Sequence, residues 1–68
     1  MILAQVIFLT NDIDDKEIYL PFPPRRKETF VFPFLTSDNI TDYKVKDIEW
    51  VFDEYNKFSK IRVYLEEK

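Results

Sequence analysis

KVKDIEWVFDEYNKF, residues 44–58, is the stretch that decides the fold, because it fits two periodicities at once. On helical spacing Val45, Ile48, Val51, Phe52, Tyr55 and Phe58 share one face, as in an amphipathic helix. On strand spacing Ile48, Trp50 and Phe52 point one way while Asp47, Glu49 and Asp53 point the other, with Val51 as the misfit. The tryptophan arbitrates. A helix would set Trp50 on the polar face beside Glu54 and Lys57, whereas a strand places it between two apolar residues. The reading is therefore strand, turn, strand, with Trp50 expected to be largely buried. Asn56 supplies a turn residue that tolerates left-handed backbone, and residues 58–65 return as a strand with Ile61, Val63 and Leu65 aligned.

Working outward, residues 2–9 form a nearly continuous apolar run that reads as a buried strand. In residues 16–22, Ile18, Leu20 and Phe22 alternate with Glu17 and Tyr19, and the two segments form a hairpin across residues 11–15. Residues 28–35 give a further strand, with Phe30, Phe32 and Phe34 on one face and Thr29, Val31 and Leu35 on the other. Pro33 cannot donate to a ladder, so this strand is expected at an edge or with a bulge. Residues 36–43 are a polar connection whose Asn39-Ile40-Thr41 matches a glycosylation sequon by chance.

With no repeat, linker or low-complexity stretch, residues 1–68 read as one domain. The expected class is all-β: a five-stranded antiparallel curled sheet or partly open barrel, with successive strands paired. The alternative is α+β, with residues 44–58 as one helix on a four-stranded antiparallel sheet.

Composition excludes more than it includes. The 68 residues hold no cysteine and no histidine, which removes thiol and imidazole chemistry, disulfides and structural zinc. They hold no glycine, which removes P-loops, dinucleotide fingerprints and nucleophile elbows. A domain this short buries only about 60% of its unfolded surface, so a hydrophobic fraction of 46% with 18% aromatic residues has to furnish the core. The absence of cysteine and of a basic, apolar leader points to a cytoplasmic setting without a membrane span. The net charge of −3, from interspersed acids and bases, disfavours a nucleic-acid partner.

Four constellations merit weighing. The acidic residues Asp12, Asp14 and Asp15 resemble half a calcium loop, but the glycine and distal glutamate of such loops are missing, and Asx-turn chemistry explains them. Pro21, Pro24 and Arg26, with Arg25, satisfy the spacing of a polyproline ligand, in which two prolines share a face and the arginine reaches an acidic pocket. A stiff turn between strands explains the same residues. Phe30, Phe32 and Phe34 beside the basic residues 25–27 have the form of a stacking platform for single-stranded nucleic acid, though core packing accounts for them better. The carboxylates Asp47, Glu49, Asp53, Glu54, Glu66 and Glu67 lie among Lys44, Lys46, Lys57, Lys60 and Arg62, a pattern suited to cross-strand ion pairs.

The function these features favour is a non-catalytic protein–protein interaction module, such as a small adaptor or inhibitor, with no catalytic residue, cofactor or metal. Its partner is expected to be another protein or a second copy, met through an exposed sheet edge or face, with Pro33 protecting one edge. The alternatives are single-strand nucleic-acid binding through the phenylalanine strand, and a carboxylate-dependent enzyme formed at an oligomer interface.

Overall fold

The computed structural model describes residues 1–10, 12–33 and 42–68. Its elements are β1 (Ile2–Phe8), β2 (Lys16–Leu20), β3 (Thr29–Val31), β4 (Asp42–Phe52) and β5 (Phe58–Glu67), with no helix among the described residues. Residues 44–58 follow the strand period: Ile48, Trp50 and Val51 stand opposite Val63, Ile61 and Lys60, so Val51 falls on the charged face. Phe34, Leu35, most of the connection 36–43, the sequon at 39–41 and Asn11 of the first loop lie outside the described residues.

The strands form one sheet in the order β2-β1-β5-β4-β3, curled into a half-barrel. The hairpin β1–β2 and the meander β3–β4–β5 are antiparallel, as their short connections require. The expectation of successive antiparallel neighbours fails at two places: β2 and β3 do not pair, and β1 meets β5 instead. β1 and β5 lie side by side in parallel, from Ala4 opposite Ile61 to Phe8 opposite Leu65, and the sheet is mixed. These two strands have the densest apolar alternation in the chain, and pairing them places both in the middle of the sheet, where burial is greatest. The shorter strands β2 and β3 become the edges, the position anticipated for the strand near Pro33, but β3 ends at Val31, two residues short of that proline, instead of running through residues 28–35.

The register puts Ala4, Val6 and Phe8 on one face with Ile61, Val63 and Leu65, and Val45 and Tyr43 continue it on β4. All are buried, Val6, Ile61, Val63 and Leu65 completely. Phe8, Phe32 and Tyr43 meet edge to face, with centroids 5.0–6.2 Å apart, and close one end of the core. Ile2, Ile13, Ile18, Leu20, Phe30 and Ile48 pack around its margin.

Because β2 and β3 lie at opposite edges, the eight residues 21–28 must span the width of the sheet. Five strands spaced about 4.8 Å apart are roughly 19 Å across, within the roughly 25 Å reach of such a segment. The crossing has Pro24 buried and residues 21, 22 and 25–28 exposed. It ends in a tight turn at Arg25 and Glu28, and Lys27 there has φ of 74°, left-handed for a residue with a Cβ. Lys27 and Glu28 then extend β3 by exchanging backbone hydrogen bonds of 2.9 Å with Val45.

Trp50 is not in the core. It lies on the apolar face, as alternation requires, yet it is 53% exposed. The energetic consequences differ accordingly. Ile61→Ala should cost about 2–5 kcal/mol, the range for a fully buried aliphatic side chain. Trp50→Ala should cost only about 1 kcal/mol, mainly its ring contact with Phe58. Urea denaturation of the two variants beside wild type checks the contrast.

Candidate functional site

The reason for the exposure of Trp50 is a mismatch of strand lengths. β4 and β5 have 11 and 10 residues, whereas β1, β2 and β3 have 7, 5 and 3. Pairing with β1 begins only at Ile61 of β5, and pairing on the β3 side reaches only Val45 of β4. Among the described residues, then, 46–60 form an arm: from Asp47 to Trp50 its β4 strand lies beside the part of β5 that pairs with β1 but has no strand on its outer side, and residues 51–60 are two-stranded. It contributes to an outline of 42 × 21 × 19 Å, twice as long as wide.

A two-stranded ribbon is marginal in water unless its cross-strand pairs and turn support it. Here the turn is built around Asp53. Its amide donates to the Lys57 carbonyl at 2.9 Å, its carbonyl accepts from the Asn56 amide at 3.0 Å, and its carboxylate accepts from the Tyr55 and Lys57 amides at 2.8 and 3.0 Å. Asn56 takes the left-handed position, with φ of 62°, that a three-residue hairpin loop requires. Along the arm Trp50 meets Phe58 at 5.5 Å and Phe58 meets Phe52 at 6.1 Å, the latter pair directly opposite in register. Nothing described covers this face: Phe52 is 56% and Phe58 42% exposed, and Tyr55 projects from the tip.

The opposite face of the arm is charged. Glu49 stands opposite Arg62 and within 3.7 Å of it, and Lys44 stands opposite Glu66 at 3.5 Å. Tyr64 donates its hydroxyl to Glu49 at 2.5 Å, and this bond to a carboxylate holds the phenol above the ordinary tyrosine range. The carboxylates therefore act as partners in cross-strand pairs on a solvated surface.

At the base of the arm Asp47 Oδ1 accepts from its neighbour's amide, Ile48 N, at 2.9 Å and from Arg26 Nη2 at 3.0 Å. These contacts, the amide first, hold the Asp47 carboxyl below the usual aspartate range. Arg26 is thus placed beside the edge of β4, and Arg25 and Pro21 are exposed while Pro24 is buried. The two prolines of the polyproline pattern do not present one common face. Phe30 and Phe32 pack on each other and against the core, Phe32 also touching Phe8 and Tyr43. Asp15 of the first loop accepts from Gln5 at 2.9 Å, and among the described residues no group of three carboxylates is placed to hold a metal ion.

Sequence reasoning missed the arm because it assigned Trp50 and Phe52 to the core. The available signal was length: the alternation of residues 45–65 outlasts that of residues 28–35, which Pro33 interrupts, so part of the long hairpin had to extend past its neighbour. No helix among the described residues is long and apolar enough to cross a membrane. Neither models of known protein families, nor curated proteins, nor solved structures match the chain.

The Arg26–Asp47 contact has a measurable signature. A depressed folded-state pKa stabilises the fold above the unfolded aspartate value and ceases to do so as pH falls through the folded value, below about pH 4. In Arg26→Ala the Asp47 pKa should rise, yet stay below that of a free aspartate because the Ile48 amide still donates. Carboxyl-carbon NMR titration of both proteins tests this; an unchanged Asp47 pKa would show that the guanidinium does not act on it.

Proposed function

We propose that this chain is a non-catalytic protein-binding module, an adaptor or inhibitor in kind, and that the β4–β5 arm is its docking element. The observation that carries the reading is the Trp50–Phe58–Phe52 cluster, exposed where β3 no longer flanks β4 and, from Val51 on, β1 no longer flanks β5. Exposed large aromatics at one place oppose solubility and are retained where another surface covers them. Tryptophan and tyrosine are also the side chains that dominate binding energy in protein interfaces, because they bury much area with few rotatable bonds. The charged opposite face keeps the ribbon solvated on its other side and fixes which face a partner meets.

Single-stranded nucleic acid suits the site less well. Phe30 and Phe32, the residues that prompted that reading, belong to the core margin. The arm aromatics lie near Asp47, Glu49, Asp53 and Glu54, in a chain of net charge −3, and a phosphate backbone would be repelled there. The lowered carboxyl of Asp47 has a local structural cause and lends no support to an enzyme formed at an oligomer interface.

The test compares capture of partners by the full chain, by Trp50→Ser, by Phe58→Ser and by Arg26→Ala, at matched melting temperatures. A specific partner should be lost with both arm variants and kept by Arg26→Ala. A partner kept by the arm variants but lost with Arg26→Ala would transfer the function to residues 21–26. Binding of single-stranded oligonucleotides that depends on Trp50 and weakens with salt would replace the protein partner with nucleic acid.

A further inference from the structure

The free edge of the arm is self-complementary, and we propose that a second copy of this chain is its occupant. The inference rests on the arm being a docking element and names what docks there. The hydrogen-bond phase of β4 follows from the turn: the Asp53 amide faces β5, so in antiparallel geometry Val51, Glu49 and Asp47 face β5 as well. Phe52, Trp50 and Ile48 therefore direct their N–H and C=O groups away from β5, toward an edge with no neighbour among the described residues. Two contacts agree with this phase. The Ile48 amide bonds to the Asp47 side chain instead of to β5, and Val45, on the other side of the bulge between Val45 and Asp47, gives both of its backbone groups to residues 27 and 28.

Antiparallel pairing of this edge with its own copy about a two-fold axis at Trp50 brings outward groups to outward groups throughout. Trp50 then faces Trp50 of the second copy through two reciprocal backbone hydrogen bonds, and Ile48 faces Phe52. All of these side chains lie on the apolar face, so the exposed aromatic clusters of both arms join into one strip. On the charged face Glu49 lies opposite Val51, which avoids opposing like charges. At the ends of the seam Lys46 comes alongside Glu54 of the second copy; both are exposed and of opposite sign. Asp47 would face Asp53, and Arg26, which already binds Asp47, lies on that edge to offset the repulsion. The Asp47 carboxylate and Arg26 occupy the edge where β3 stops, so backbone pairing with the second copy is bounded at Ile48, whose amide exchanges its Asp47 acceptor for Phe52 of that copy, and Lys46 and Asp47 meet it through side chains alone.

The experiment is sedimentation velocity of the full chain from low to high micromolar concentration, with charge variants in the exposed turn and edge. Wild type should pass from monomer to dimer, with Trp50 emission shifting to the blue as the dimer forms. Glu54→Lys sets lysine against Lys46 twice by symmetry and should raise the dimer Kd about tenfold. Lys46→Glu should do the same, and the double exchange Lys46→Glu with Glu54→Lys should restore dimerisation. A monomer at all concentrations, or a dimer insensitive to these exchanges, overturns the proposal. If arm-dependent capture of a different protein persists in that case, the docking role of the arm stands without the second copy; if such capture is also missing, both fail.

Discussion

The parallel seam between β1 and β5 is the contact on which the rest of the fold depends. Ala4, Val6 and Phe8 interlock there with Ile61, Val63 and Leu65 on the buried face, and nearly every fully buried side chain of the protein belongs to these strands or touches them. Removing the seam would leave a two-stranded hairpin and a meander, neither with a second apolar surface to cover its own. Because the seam joins strands from opposite ends of the chain, closing it costs more loop entropy than local pairing does, and its return comes only when both hairpins are in place. The order of the sheet follows from that single pairing: the strands richest in aliphatic residues take the middle, and the weaker ones become edges.

The same seam sets the limits of the core. β1 reaches along β5 only as far as Ile61, and the extended β3 reaches along β4 only as far as Val45. Past these points the long hairpin continues on local means alone, through the Asp53-centred turn, the left-handed Asn56 and the stacked aromatics. Two aromatic clusters thus occupy opposite ends of one apolar face. Phe8, Phe32 and Tyr43 are closed over by strands and contribute to stability, while Trp50, Phe52 and Phe58 are left open to solvent. An exposed apolar end on a domain with so small a core is a standing risk of misassociation, and the Arg26–Asp47 pair at the arm's base narrows that risk by covering part of the free edge.

The strap formed by residues 21–28 links these features. It carries the chain across the width of the sheet with Pro24 buried, and it delivers Arg26 to the point on β4 where ladder pairing ends. Proline suits the crossing because a segment that must stay extended without strand neighbours loses less entropy on folding when its φ is already fixed. The motif that resembles a ligand for another domain is, in its prolines, part of this protein's own architecture, and its arginine is engaged within the chain.

The strand period, preferred to the helical one on the position of Trp50, assigned residues 44–58 to strand and turn and said which side chains share a face, and Asn56 marked where backbone turns left-handed. The same period also aligned Ile61, Val63 and Leu65 in one row, while the missing donor of Pro33 put the strand of residues 28–35 at an edge or at a bulge. These properties are local: the two-residue period assigns a face, and turn chemistry acts over four or five residues. Composition alone removed the site types that need glycine, histidine or cysteine. The tertiary structure decided which strands are neighbours, because the apolar faces of β1 and β5 are equally compatible with several partners and only joint burial ranks them. It also decided the fate of Trp50. Alternation assigned the tryptophan to the correct face, but whether a face is covered depends on how far the neighbouring strands extend, and that length is fixed by the register of a pairing between residues nearly sixty positions apart.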